Sequence, residues 1–428
     1  MRSTKLLKLE DRLHNLTCHY IQDKYSTRVE ILELINDQGE LEKIIRILLA
    51  DEKEILSSLE NETVLQGVIN RIVGLGPLEP YIHDPQVSEI MVNAPDQIFV
   101  EKSGTLSQVN DSFRNEDHIY HVIDRIVAPI GRRVDRSTPF EDARLKDGSR
   151  VNVIIPPLSI NSPLLTIRRF STIPFSLTRL TKLGSISIVM AQFLQASVKS
   201  KLNILISGGT GSGKTSALNA LARCIPARER VITIEDTAEL QLTATNLVSL
   251  ESRPPNIEGK GEVSIRKLVR NALRMRPDRI IIGEVRGIEA FDMLQAMNTG
   301  HPGSLTTIHA NSPVDAIRRL ESMVLTAGVD LPHLAIREQI ANTIDLIVQL
   351  ERLDGGDRKV VSIAEVLPVY SKSQDFLKLR TEIIFSFKKN NEFKKGHVQG
   401  YFTIHAYKPN CLAIIKQSGY SMKNKLDD

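Results

Sequence analysis

One stretch constrains this chain more than any other: Ile204-Leu205-Ile206-Ser207-Gly208-Gly209-Thr210-Gly211-Ser212-Gly213-Lys214-Thr215. An apolar run that reads as a buried strand ends at Ser207, a glycine-rich loop follows, and Ser216 to Arg223 reads as a helix. This is the G-x-x-x-x-G-K-S/T pattern in the strand–loop–helix setting it requires. Successive backbone N–H groups of such a loop wrap around phosphate oxygens. The start of the next helix adds unpaired N–H groups and the positive end of its dipole. Lys214 is placed to reach the β- and γ-phosphates, and the Thr215 hydroxyl to ligate Mg²⁺. The expected ligands are therefore ATP and Mg²⁺. The expected contacts are Gly208, Gly209, Thr210, Gly211, Ser212, Gly213, Lys214, Thr215 and Ser216.

The rest of the chain limits where such a site can work. With 428 residues there is room for two or three domains. A formal net charge of +4 leaves no electrostatic footprint of a nucleic-acid partner. Cys18, Cys224 and Cys411 are far apart, which fits inert thiols in a reducing cytoplasm. Glu10 and Asp11 stand where a signal peptide needs apolar residues. No run approaches the ~20 apolar residues that span a bilayer. The expectation is a cytoplasmic protein whose contact with a membrane is peripheral.

From about Thr27 to Ile72, apolar and charged residues alternate at helical spacing. Val64, Leu65, Val68, Ile69, Ile72 and Val73 form one core-facing stripe. Gly74 and Gly76-Pro77 end it. Ile90–Val92, Ile98–Val100 and Leu164–Arg169 read as strands, and His118–Val127 as a helix. Ala143–Val153 reads as a hairpin around Asp147-Gly148. These features divide the chain into a helical leader (1–74), a small α+β domain (75–170) and a linker (171–177). After the glycine-rich loop, strand-like runs at Val231–Ile234, Arg279–Ile282, Ser304–Ile308 and Ile344–Leu350 alternate with helical stretches. That alternation specifies an α/β domain with a mostly parallel sheet over 178–370, whose ligands collect at the carboxyl ends of the strands. Residues 371–428 form an extension with a weak pattern. Its basic cluster of Lys388, Lys389, Lys394 and Lys395 reads as a solvated face or as a docking surface for anionic lipid headgroups or an acidic partner.

Each candidate catalytic residue follows one of those runs. Glu284 comes after Ile280-Ile281-Ile282-Gly283 and is the natural group to polarise water; many P-loop ATPases carry a magnesium-organising Asp where Gly283 stands. Glu235, after Val231–Ile234, is suited to hold a magnesium-bound water or to help deprotonate the attacking one, and its neighbour Asp236 points to the other side. His309, after the Ser304–Ile308 run, is placed to bond the γ-phosphate or a catalytic carboxylate. His301 reads as structural. Arginines that could neutralise phosphate charge include Arg144, Arg150, Arg168, Arg169, Arg270, Arg274 and Arg276. Arg144 and Arg150 are preferred, because a hairpin tip can carry them across a subunit boundary.

Taken together, Gly208–Thr215, Ile234–Leu240, Leu273–Gly287 and Thr306–Ser312 resemble the Walker A, Asp box, Walker B and His box of the type II/IV secretion ATPases. Gly74–Pro80, Ile90–Asn93, Gly131–Asp135, Asp142–Leu145 and Asp147–Asn152 resemble the CpaF branch, the tight-adherence (Tad) pilus ATPases. Ile288 and Pro302 depart from that pattern, where a Gly and a polar residue are expected. The resemblance implies a RecA-like ATPase domain preceded by a PAS-like N-terminal domain. It further implies a homohexamer at the cytoplasmic face of the inner membrane, working on platform proteins of a pilus or secretion system. A non-hydrolysing nucleotide-gated scaffold and the motor of a conjugative type IV system are the alternatives. The near-neutral charge and the lack of an aromatic stacking platform speak against direct nucleic-acid handling.

Overall fold

The computed structural model describes residues 4–25, 34, 38–52, 57–102, 104–169, 175–242, 244–253, 260–368, 379–394 and 397–420. Most of the expected linker lies outside the described residues, as do Lys395 and the side chains of Phe393 and Lys394. The chain divides into two compact units, Met1–Thr172 and Ile173–Asp428. Among the described residues no helix is long and apolar enough to cross a membrane.

The first unit begins with helices over Thr4–Lys24, Gln38–Ala50 and Ser58–Ile72. The stripe of the third helix is buried as its spacing requires, against Leu9 and Leu13 of the first helix and Leu41 and Ile45 of the second. Ser57 caps that helix, and Glu60 returns the bond to the Ser57 N–H, so two end groups are satisfied reciprocally. The Thr4–Lys24 helix was not evident from the spacing argument above, although Leu9, Leu13, Thr17 and Ile21 are buried at steps of four.

A six-stranded antiparallel sheet follows, in the order β3-β2-β1-β6-β5-β4. Its strands are β1 (Val87–Ala94), β2 (Gln97–Lys102), β3 (Thr105–Gln108), β4 (Phe140–Arg144), β5 (Arg150–Ile154) and β6 (Leu164–Arg168). One face packs on the Glu116–Val127 helix through Ile119, Val122, Ile123 and Ile126. The β4–β5 hairpin closes on Leu145–Ser149 around Asp147-Gly148, with Gly148 at φ 89°.

The second unit is built on a nine-stranded sheet, β15-β14-β13-β12-β7-β11-β10-β8-β9. Its first strands are β7 (Ile204–Gly208), β8 (Arg230–Glu235), β9 (Asn246–Glu251), β10 (Arg279–Val285) and β11 (Leu305–Ile308). Together with β12 (Leu346–Arg352) these run parallel. On the far side of β12, β13 (Arg358–Leu367), β14 (Arg380–Lys394) and β15 (His397–Ile404) continue the sheet antiparallel. Residues 380–394 and 397–404 of the expected extension are therefore part of this sheet. Ile384 and Phe385 of β14, and Leu412 and Ile415 of the Cys411–Gln417 helix, are buried in the same core as β7.

The central strands are buried on both faces, which is why they read as unbroken apolar runs. Along β7, Ile204 and Ile206 face one core while Leu205 faces the other, following the two-residue period of a strand. The helix after β7 (Lys214–Ala222) packs into the first core, and the helix after β11 (Pro313–Thr326) into the second. Neighbouring parallel strands whose connections leave to opposite faces open a crevice at their carboxyl ends. That crevice lies between Gly208 and His309.

Candidate nucleotide site

The loop after β7 has the geometry that phosphate wrapping needs. Gly211 and Gly213 sit at φ 69° and 95°, in the left-handed region that favours glycine. At Gly209 a Cβ would meet nothing within 4 Å, so the backbone there is open to an approaching phosphate. Thr215 and Ser216 stand in the first turn of the Lys214–Ala222 helix, where N–H groups have no intrahelical partner.

Lys214 is 8% exposed, and its ammonium donates to the carbonyls of Gly208 and Gly209, each at 3.0 Å. Its Nζ also lies 3.2 Å from His309 Nε2. This third contact follows from the parallel pairing of β7 with β11, where Ser207 stands opposite Ile308. Ser207 Oγ and Gln349 Nε2 both donate to the Ala310 carbonyl, at 3.5 and 3.2 Å, which fixes the chain just after His309.

Glu284 lies at the end of β10, the next strand beyond β11. Its Oε1 is buried 3.1 Å from His309 Nε2, and its Oε2 accepts from Arg286 Nη2 at 2.7 Å. Lys214, His309, Glu284 and Arg286 thus form one continuous chain of contacts. A single imidazole nitrogen either accepts from Lys214 or donates to Glu284; it does not do both. Burial and the Lys214 ammonium lower the His309 pKa, against the opposing pull of Glu284, so the ring is neutral near pH 7. Pairing with Glu284 raises the Arg286 pKa.

Glu235 has a different setting. Its carboxylate accepts from the backbone N–H of Glu239 at 2.9 Å and of Leu240 at 3.2 Å. Burial pushes its pKa up to about 7, an effect that these two donors only partly offset. Its side chain also fills the space beside Gly283, where a Cβ would lie 2.9 Å from Glu235 Cγ. This contact accounts for glycine at a position where an Asp is common: the room is already taken. Glu235 Oε1 is engaged with its own loop, while Oε2 makes only a 3.4 Å contact with the Leu240 N–H. Asp236 points elsewhere, as expected of an adjacent residue, and accepts from Ser252 at 3.0 Å. Asn219 ties the same loop to the phosphate-loop helix by accepting from Gln241 N–H at 2.7 Å.

The arginines of the first unit fall into one line. Arg144 pairs in register with Arg150, Arg150 with Arg168, and Arg168 with Glu89, across β4, β5, β6 and β1. Arg168 Nε lies 3.9 Å from Glu89 Oε1, so the row gathers three guanidinium groups beside one carboxylate. Two of the other candidate arginines have partners of their own. Arg169 donates to the Asp84 carbonyl, and Arg270 pairs with Asp292. His301 contacts the Ala296 carbonyl at 3.2 Å, as a structural histidine would. Arg286, Asn219, Gln349 and the loop-facing Arg358 were not picked out by the sequence argument. The proximity of Arg286 to Glu284 in the chain was the one available signal.

A glycine-rich phosphate loop at the switch point of a mostly parallel sheet, backed by Glu284 and His309, defines a P-loop nucleotide-binding protein. Residues 71–389 match the family model described as type II/IV secretion system protein, and the chain belongs to that family. It is 34% identical over 319 residues to a putative conjugal transfer protein of Mycobacterium tuberculosis, covering 73% of this chain and 88% of the relative. It is 31% identical over 336 residues to the type IV secretion system protein VirB11 of Bartonella quintana, covering 70% and 93%. The crystal structure of the pilus retraction motor PilT with bound ADP shares the fold, with a TM-score of 0.51 at 20% identity over 69% of this chain and 83% of that one.

Proposed function

We propose that this chain is a Mg²⁺-dependent ATPase whose hydrolysis powers a secretion or pilus-assembly machine, with Tad-type pilus assembly as the finer reading. The observation that carries it is the unbroken contact chain from Lys214 through His309 to Glu284. In this reading a bound γ-phosphate accepts the Lys214 N–H now directed at His309 Nε2. The neutral ring then exchanges its one proton from Nδ1 to Nε2 through solvent and donates it in a hydrogen bond to Glu284, whose carboxylate orients the attacking water. His309 thereby links phosphate occupancy to the state of the base. Magnesium supplies charge neutralisation on the phosphate oxygens. Thr215 would be its protein ligand, since an ion held mainly through phosphates and water needs only one or two protein oxygens. Glu235 supports the site by holding the 236–240 loop.

The same reading takes 178–370 as RecA-like, 75–170 as PAS-like and 1–74 as a helical leader, joined by the 171–177 linker and followed by the 371–428 extension. The assembly is a homohexamer on the cytoplasmic side of the inner membrane, working against platform proteins. Within it the arginine row of Arg144, Arg150 and Arg168 faces the nucleotide of a neighbouring subunit. A conjugative motor is the second reading, favoured by the conjugal-transfer name of the Mycobacterium tuberculosis relative.

Phosphate release by the purified full chain tests the activity. Turnover that requires Mg²⁺ and disappears in Lys214→Ala supports it, whereas nucleotide binding with no release in the wild type would leave a gated scaffold. Stimulation by DNA would favour the conjugative reading over the pilus one.

A further inference from the structure

The phosphate loop is also gripped from its outer side, by a hairpin that the motif does not include. β12 runs parallel to β7 with Leu350 opposite Gly208, so Glu351 and Arg352 continue alongside the loop itself. The chain then turns through Leu353–Asp357, with Gly355 and Gly356 at φ 89° and 88°, closed by the Leu353 N–H to the Asp357 carbonyl at 2.7 Å. β13 returns with Arg358 directly across from Arg352. Arg358 Nε donates to the Gly211 carbonyl at 2.8 Å. Its stem covers Gly213, where a Cβ would lie 3.3 Å from Arg358 Cδ. Arg352 Nη1 stands 3.6 Å from the position of a Cβ on Gly211. Two opposed cations are an unfavourable cross-strand pair unless negative charge is held nearby, and this pair is placed beside a phosphate loop.

The Gly211 carbonyl belongs to the same peptide unit as the Ser212 N–H. In a trans peptide the two point in opposite directions, so an oxygen facing the hairpin turns the N–H towards the inside of the loop. A guanidinium on that oxygen polarises the peptide and strengthens its N–H as a donor. Within the chain, that N–H makes a 3.4 Å contact with the Gly209 carbonyl, beyond the usual range for such a bond. Resting on the reading of this loop as a nucleotide site, we propose that Arg358, with Arg352 beside it, is a positioning residue for the triphosphate. It fixes the Gly211–Ser212 peptide with its N–H towards the phosphates and sets triphosphate affinity without touching the nucleotide.

The test uses the full chain as wild type, Arg358→Ala, Arg358→Lys and Lys214→Ala. Binding of a fluorescent ATP analogue, steady-state ATPase kinetics and thermal melting are measured for each. Loss of a hydrogen bond to a charged group predicts that Arg358→Ala weakens analogue binding about 10-fold and raises KM in proportion. Its kcat at saturation stays within about threefold of wild type, and its Tm is unchanged, as expected of an effect confined to binding. Arg358→Lys retains a cationic donor for the same carbonyl and recovers most of the affinity. The proposal is overturned if Arg358→Ala binds as wild type does while Lys214→Ala does not. It is equally overturned if the lysine variant is as weak as the alanine one, or if both lose several degrees of Tm. A wild-type chain that fails to bind the analogue would instead overturn the nucleotide reading of the loop.

Discussion

Glu284 and Glu235 occupy equivalent places, each at the carboxyl end of a buried apolar strand, on the paired strands β10 and β8. Their surroundings make them different chemical objects. Glu284 lies between a guanidinium and an imidazole, within a chain of contacts that reaches the phosphate loop. Glu235 is turned into its own loop, with backbone donors on its oxygens and a pKa near 7. In the proposed reading, a strand-end carboxylate set between a guanidinium and a neutral imidazole orients water, and one held by backbone N–H groups supports its loop. Distance adds to the contrast: at ~4.8 Å per strand, β8 is about 14 Å from β7 and β10 about 10 Å.

Substitution of the two carboxylates is the strongest way to break this comparison. Glu284→Gln is expected to lower kcat at least ~100-fold, the usual scale for a lost general base, while the fluorescent ATP analogue still binds. Glu235→Gln keeps an oxygen to accept from Glu239 and Leu240, so its kcat is expected to fall less than about 10-fold. Equal losses in phosphate release would erase the distinction drawn between them.

Gly283→Ala tests the contact from the other side. Its new Cβ would meet Glu235 Cγ at 2.9 Å and must displace it. Overpacking of this kind costs about 1–3 kcal/mol, read as a Tm lower by several degrees. A Tm equal to wild type would show that the Glu235 side chain is free to move. Removal of the relay, in His309→Ala, is expected to reduce kcat about 10-fold with a smaller change in KM, since the ring acts between phosphate and base. A change in KM alone would place His309 in simple nucleotide binding.

A further expected effect is a pH slope. The folded pKa of Glu235, about 7, exceeds its unfolded value of 4.5, so the folded state binds the extra proton. The resulting stabilisation is fully present below pH ~4.5 and is lost as pH rises through about 7. Thermal melting of the wild type from pH 5 to 8 should therefore fall more steeply than that of Glu235→Gln. Parallel curves would mean that the carboxylate is not buried as described.

Much of this contrast was absent from the sequence for a physical reason. Both glutamates follow the same apolar-run pattern, and that pattern reports burial of the strand, not the partners of the next side chain. The approach of Lys214 to His309 depends on β11 lying beside β7, two segments nearly a hundred residues apart in the chain. The row of Arg144, Arg150 and Arg168 likewise exists only through strand register. β14 and β15 were not evident because they extend the sheet towards its edge, where buried Ile384 and Phe385 are interspersed with exposed Ile383, Tyr401 and Ile404. The Thr4–Lys24 helix, by contrast, had a readable signal in its four-residue steps of burial.

What the sequence determined by itself was local: a phosphate loop from Gly208 to Thr215, the strands and helix that frame it, and the strand-end positions of Glu235, Glu284 and His309. These follow from glycine's backbone freedom, from apolar periodicity and from the alternation of strand and helix, all of which act within a few residues. Tertiary structure decided which of those groups meet. The order of strands in the sheet joined Lys214 to His309 and Glu284, turned Glu235 into its loop, and brought Arg358 onto the outside of the phosphate loop. Such contacts depend on segments far apart in sequence, and no local pattern encodes them.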